Sequence, residues 1–124
     1  MDIIIMSDSS MPLYEQITNQ IKKLILSGEL KQGELLPSIR MMAKELKVSI
    51  ITVKRAYEEL EIEGFVATAL GKGTYVSMVN TERLRESQIS QIEDQLEGIV
   101  LAAKGIGMNL EDLQERLKII FEEA

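Results

Sequence analysis

The chain contains neither cysteine nor histidine. Without cysteine there is no disulfide framework, thiolate zinc site or thiol nucleophile, and without histidine most transition-metal sites and nucleophile–base pairs also go. Carboxylates, serines and lysines are what remain for catalysis. The acidic run Glu58, Glu59, Glu61 and Glu63 reads as a solvated helix face rather than a metal site or an acid–base pair. No catalytic residue, metal or cofactor is expected, and a carboxylate-metal hydrolase is the weakest reading. The apolar run Ile3-Ile4-Ile5 is far too short to span a bilayer and follows no basic leader. It is expected to form a short edge strand, pairing with a hairpin further along or packing on a dimer partner. The protein is expected to be cytoplasmic and free of membrane.

An overall surplus of positive charge is also lacking, since the formal net charge is -6. The distribution matters more than the total. Between Leu36 and Tyr57, Arg40, Lys44, Lys47, Lys54 and Arg55 face Glu45 alone, a local net charge of +4. From Thr81 onward, five basic residues face ten acidic ones, a local net charge of -5. The positive field is concentrated in one segment, and the acidic tail should point away from any polyanion that segment binds.

That basic segment has a definite pattern. Ser38 follows Pro37 and can cap a helix starting at Ile39, whose apolar residues Ile39, Met42, Ala43 and Leu46 share one face. After Lys47-Val48, Ser49 can cap a second helix, buried through Val53, Ala56, Tyr57 and Leu60. Two helices joined by so short a break must cross steeply. The second leaves Ile50, Ile51, Thr52, Lys54 and Arg55 facing outward at its N-terminal end. Thr52 and Lys54 can bond base edges or phosphates, and either isoleucine can lie against a thymine methyl. Gly64 ends this helix. Two strands, Phe65–Ala69 and Thr74–Met78, then flank Gly71-Lys72-Gly73, a tip whose open backbone and single ammonium suit close approach to a phosphate backbone or a minor groove. The order is that of a winged helix-turn-helix, preceded by a helix over about Leu13–Leu26 that Gly28 closes.

The remaining segment holds two amphipathic helices. Leu84, Ile89, Ile92, Leu96, Ile99, Val100 and Ala103 form an apolar stripe on the first, which an isolated helix cannot hide from water. Gly105 and Gly107 break the chain, Asn109 caps the second helix, and Leu110, Leu113, Leu117, Ile120 and Phe121 supply its apolar face. A helical hairpin pairing with a second copy about a twofold axis would bury both stripes. The alternative is a hairpin folded back on its own winged helix.

Residues 12–77 resemble the DNA-binding domain of GntR-family transcription regulators. The likeness rests on Pro12-Leu13-Tyr14-Glu15-Gln16-Ile17, Ser27-Gly28-Glu29-Leu30, Leu36-Pro37-Ser38, Val48-Ser49, Thr52-Val53, Ala56-Tyr57, Glu63-Gly64 and Gly71-Lys72-Gly73-Thr74. It implies that Arg40, Ser49, Thr52 and Lys54 contact DNA, with Gly71 and Lys72 doing so from the wing. The family often has arginine where this chain has Ile50, and glutamate where it has Ile39. About 45 residues after the wing are too few for the large ligand-binding domains of most relatives, and the short tail resembles the YtrA-type subgroup. That likeness implies a dimeric repressor of its own operon and of neighbouring membrane-transporter genes.

The expected protein is therefore α+β and mainly helical. A winged helix-turn-helix domain over residues 1–78 binds double-stranded DNA through Arg40, Ser49, Ile50, Ile51, Thr52, Lys54, Arg55, Gly71, Lys72 and Gly73. A two-helix tail over residues 79–124 makes it a homodimer through Leu84, Ile89, Ile92, Leu96, Ile99, Val100, Leu113, Leu117, Ile120 and Phe121. The rival is a protein-interaction scaffold without specific DNA binding. A small-molecule effector is compatible with the sequence, which names none.

Overall fold

Serine caps set the middle of the chain. In the computed structural model, which describes residues 1–124, Ser38 Oγ accepts from the Met41 N–H (3.1 Å) and starts α2, Ile39–Leu46. Ser49 Oγ accepts from the Thr52 N–H (3.1 Å) and starts α3, Ile50–Ile62. Each hydroxyl satisfies an amide that the first helical turn leaves unpaired. Between these helices Lys47 takes a left-handed backbone conformation (φ 57°), and the Val48 N–H reaches back to the Ala43 carbonyl (3.0 Å). This closes the short turn between the two helices. α1, Leu13–Ser27, precedes them and ends at Gly28.

α1, α2 and α3 enclose one core. Ile17, Ile21, Ile25, Met42, Ala43, Val53, Ala56, Tyr57, Leu60 and Phe65 are buried together, at the 3.6-residue spacings expected of inward helix faces. The Tyr57 hydroxyl crosses this core to donate to the Pro37 carbonyl (2.7 Å), tying α3 to the entrance of α2. Burial, and secondarily the charge of Glu45, push the Tyr57 phenol well above its ordinary pKa, so it stays a hydrogen-bond donor. Lys22 and Glu63 form a largely enclosed ion pair (2.7 Å) from α1 to the end of α3.

β1 (Val66–Ala69) and β2 (Gly73–Val76) pair antiparallel, with Val66 opposite Val76 and Ala69 opposite Gly73. The wing has a third edge that the sequence reading does not anticipate. The Gly33 N–H donates to the Val76 carbonyl, the Val76 N–H to the Glu34 carbonyl and the Leu36 N–H to the Thr74 carbonyl, each at 2.8 Å. Residues 33–36 thus form the extra edge of the wing, which corrects the expectation that the N-terminal isoleucines would pair with it. Met1–Met6 forms no strand with the wing. Gln20 instead exchanges hydrogen bonds with both backbone groups of Ile4 (2.9 and 2.6 Å), and Gln16 does the same with Met6 (2.8 and 2.9 Å). Ile3 and Ile5 pack against the core.

The chain divides into two compact units, Met1–Arg85 and Glu86–Ala124. α4, Thr81–Gly105, begins in the first, where Leu84 is buried in the winged-helix core close to Gly64. Leu84 is therefore a core residue and is corrected out of the exposed tail stripe. Its helical spacing is right, but the periodicity could not say which core it would enter. In the second unit, α4 turns at Gly107 (φ 79°) into α5, Leu110–Glu123, whose first turn is capped by Asn109 Oδ1 accepting from the Asp112 N–H (2.8 Å). Contact between α4 and α5 is concentrated at this corner, where Ala103 is buried and Leu113 half-buried. The hairpin is open. Neither α4 nor any other helix is long and apolar enough to cross a membrane.

Candidate nucleic-acid interface

The exposed end of α3 follows from what its other side must do. With Val53, Ala56, Tyr57 and Leu60 turned into the core, Ile50 and Ile51 are left exposed, Ile51 by 79%. Adjacent apolar side chains left this open to water at a helix start mark a surface suited to a partner. Thr52 is half-buried, and its hydroxyl shares a 2.8 Å hydrogen bond with the Ser49 hydroxyl. This bond fixes the rotamers of both residues and leaves them lone pairs and one hydroxyl proton for a further partner.

The cations around this end differ in their freedom. Arg40, the second residue of α2, is exposed. Lys54 lies 4.0 Å from Glu58 on the same face of α3, both side chains well exposed, a pairing that water screens almost completely. Arg55 is the ordered one, its guanidinium stacked on the Tyr14 ring of α1 at 3.8 Å from the centroid. Ser49, Ile50, Ile51, Thr52, Lys54 and Arg55 thus occupy one end of α3, with Arg40 on the neighbouring α2. Lys47, in the turn between the helices, adds an exposed cation that is not among the expected contacts.

The wing brings Gly71, Lys72 and Gly73 together at its tip. The Lys72 N–H donates to the Ala69 carbonyl (3.0 Å), and the Tyr75 hydroxyl braces the turn from below through the Lys72 carbonyl (3.1 Å). Gly71 and Gly73 have φ of 77° and 103°, and a Cβ on Gly73 would stand 3.3 Å from Leu35. The left-handed backbone favours glycine at both positions, and at Gly73 the nearby Leu35 side chain adds a close contact. Leu70 is fully exposed beside Gly71. It is absent from the expected residues, although an apolar side chain directly before a glycine tip is a readable signal.

In the second unit Ile89, Ile92, Leu96, Ile99, Val100, Leu117, Ile120 and Phe121 are all exposed on α4 and α5.

Comparison with known proteins identifies the family and the fold. The family described as "Bacterial regulatory proteins, gntR family" matches residues 13–76, the span from α1 to the end of β2. The HTH-type transcriptional repressor YtrA of Bacillus subtilis is 42% identical over 90% of this chain and 86% of its own. A crystal structure of a transcriptional antiterminator from Listeria monocytogenes EGD-e covers 97% of this chain and 90% of its own, at 29% identity and a TM-score of 0.73. The structure of YtrA from Sulfolobus acidocaldarius, a GntR-family transcription factor, is 37% identical and covers 74% of this chain and 97% of its own, with a TM-score of 0.59. Family and relatives alike are transcription regulators, not enzymes. The winged helix-turn-helix, the match along its whole length and these relatives together make the chain a member of the GntR family and a DNA-binding transcription regulator.

Proposed function

We propose that two copies of the chain pair through their tails and place one α3 in each of two major-groove half-sites of an inverted-repeat operator. The bound dimer represses its own operon and neighbouring transporter genes. The observation that carries this reading is the exposed end of α3, where two isoleucines and two cations stand outside the core that fixes the helix. Ile50 or Ile51 lies against thymine methyls, Lys54 and Arg40 make the charged contacts, Ser49 and Thr52 the shorter hydrogen bonds, and Arg55 reaches a phosphate. The wing meets the backbone or the adjacent minor groove through Gly71, Lys72 and Gly73. Half-site centres lie about 10 bp apart, or a multiple of that.

Pairing is supported by the uncovered stripe of α4. Ile89, Ile92, Leu96 and Ile99, all exposed, recur at alternating spacings of three and four, the seam of a coiled coil. An identical seam on a second copy is a complementary occupant under twofold symmetry. In this arrangement residues 1–85 bind DNA and the rest of the chain dimerises.

A gel shift on the chain's own promoter region tests the reading. Arg40→Ala and Lys54→Ala should each weaken operator binding by about 1 to 3 kcal/mol, selectively for one base position, if the contact is to a base. A uniform loss with a salt slope shallower by about one identifies a phosphate contact instead. Equal retardation of promoter and unrelated DNA, unchanged in both variants, would leave the winged helix as a scaffold.

A further inference from the structure

The stack between Arg55 and Tyr14 joins the outward face of α3 to the first turn of α1, where one side of the Tyr14 ring packs against the core and its face is left to Arg55. Arg55 is exposed, and no carboxylate forms an ion pair with it. Arginine stacked on an aromatic face keeps its in-plane N–H donors free while losing the freedom to swing. Arg55 follows Ile51 by one helical turn, so it belongs to the exposed side of α3. It is displaced toward α1, whose Tyr14 it meets, as Glu63 two turns further along meets Lys22. A cation on the flank of a helix lying in a groove faces the groove wall, which is phosphate.

We infer that Tyr14 is a positioning residue for DNA binding, holding the Arg55 guanidinium in one plane so that its free edge meets a backbone phosphate beside the groove read by α3. The inference rests on the proposed DNA-reading role of α3 and adds to it a residue of α1 that itself touches no base. The Tyr14 hydroxyl donates weakly to its neighbour Glu15 (3.3 Å), so the ring and not the hydroxyl does the positioning.

Fluorescence anisotropy of the full chain on operator DNA, titrated across salt concentrations, tests this. Tyr14→Leu should weaken binding about threefold to tenfold and make the salt slope shallower by about one counterion. Tyr14→Phe should restore both. Arg55→Ala should show the same loss, and Tyr14→Leu should add nothing in that background. Tyr14→Leu with wild-type affinity and slope overturns the inference, and so does a loss that persists undiminished once Arg55 is alanine. If Tyr14→Leu fails to fold, Arg55→Lys carries the test, because lysine keeps the charge without the flat stack. Weaker binding supports the inference and wild-type binding sinks it. Lys54→Ala, run alongside, separates the two levels. If it weakens binding while Arg55→Ala does not, this inference alone fails, and if neither weakens it the reading of α3 fails as well.

Discussion

Aspartate at both Ile92 and Ile99 should turn the protein into a monomer that binds a single half-site normally and the complete operator about a hundredfold or more weaker. The two isoleucines are 56% and 51% exposed in the single chain, so the substitutions remove no core packing and cost the helix little. In a pair of copies the same residues would lie one heptad apart along the seam, and four carboxylates would have to be buried without partners. Association is then lost. With it goes the intramolecular delivery of the second α3, which raises apparent affinity by roughly two to four orders of magnitude when geometry allows. Analytical ultracentrifugation reads the oligomer, and anisotropy on full and half operators reads the binding. A dimer that survives both substitutions, or a monomer with undiminished affinity for the full operator, would remove the tail from the dimer interface.

The second large effect concerns stability. Phe65 is 0% exposed and joins three parts of the winged helix. Its N–H bonds the Leu60 carbonyl (2.9 Å), its carbonyl accepts from the Ser77 N–H (2.9 Å), and the Lys22 ammonium stands 5.6 Å from its ring centroid. Phe65→Ala should destabilise this unit by about 3 to 5 kcal/mol, through lost transfer energy and the cavity left behind. For a unit of this size that corresponds to a fall in Tm of roughly 15 °C or more. Ile62→Ala is the natural control. Ile62 lies three residues before Phe65 in the sequence but is 79% exposed, and a surface truncation should stay within about 0.5 kcal/mol. Circular dichroism melts of the two variants decide the matter. Similar Tm values would show that Phe65 does not anchor the wing to the helices.

The parts of this fold that could be read from sequence are those whose causes are local. Ser38 and Ser49 announce α2 and α3 because a cap acts within three residues, and the break at Lys47-Val48 is where both helical patterns stop. What could not be read depends on partners distant in sequence. The isoleucines at positions 3–5 have strand propensity, but two glutamines on α1 satisfy that backbone while residues 33–36 take the edge of the wing. Leu84 continues the periodicity of the tail stripe without belonging to it, since periodicity records a face and not what covers it. The candidate contacts of α3 emerge from elimination of its buried stripe. The Tyr14 stack beneath Arg55 has no signature of its own, because nothing in the spacing of α1 and α3 says which of their flanks meet.

The glutamines at 16 and 20 owe their success to a coincidence of two rulers. Four helical residues advance about 6 Å, and two extended residues advance about 6.7 Å, so amides one turn apart on α1 fall into step with every second peptide of Met1–Met6. α1 thereby acts as the rung-bearing edge of a ladder that another strand would ordinarily provide. Protection should alternate along the arm: the Ile4 and Met6 amides, held by side chains, exchange deuterium more slowly than that of Ile5 between them. Uniform rapid exchange across the arm would mean that the ladder does not hold in solution.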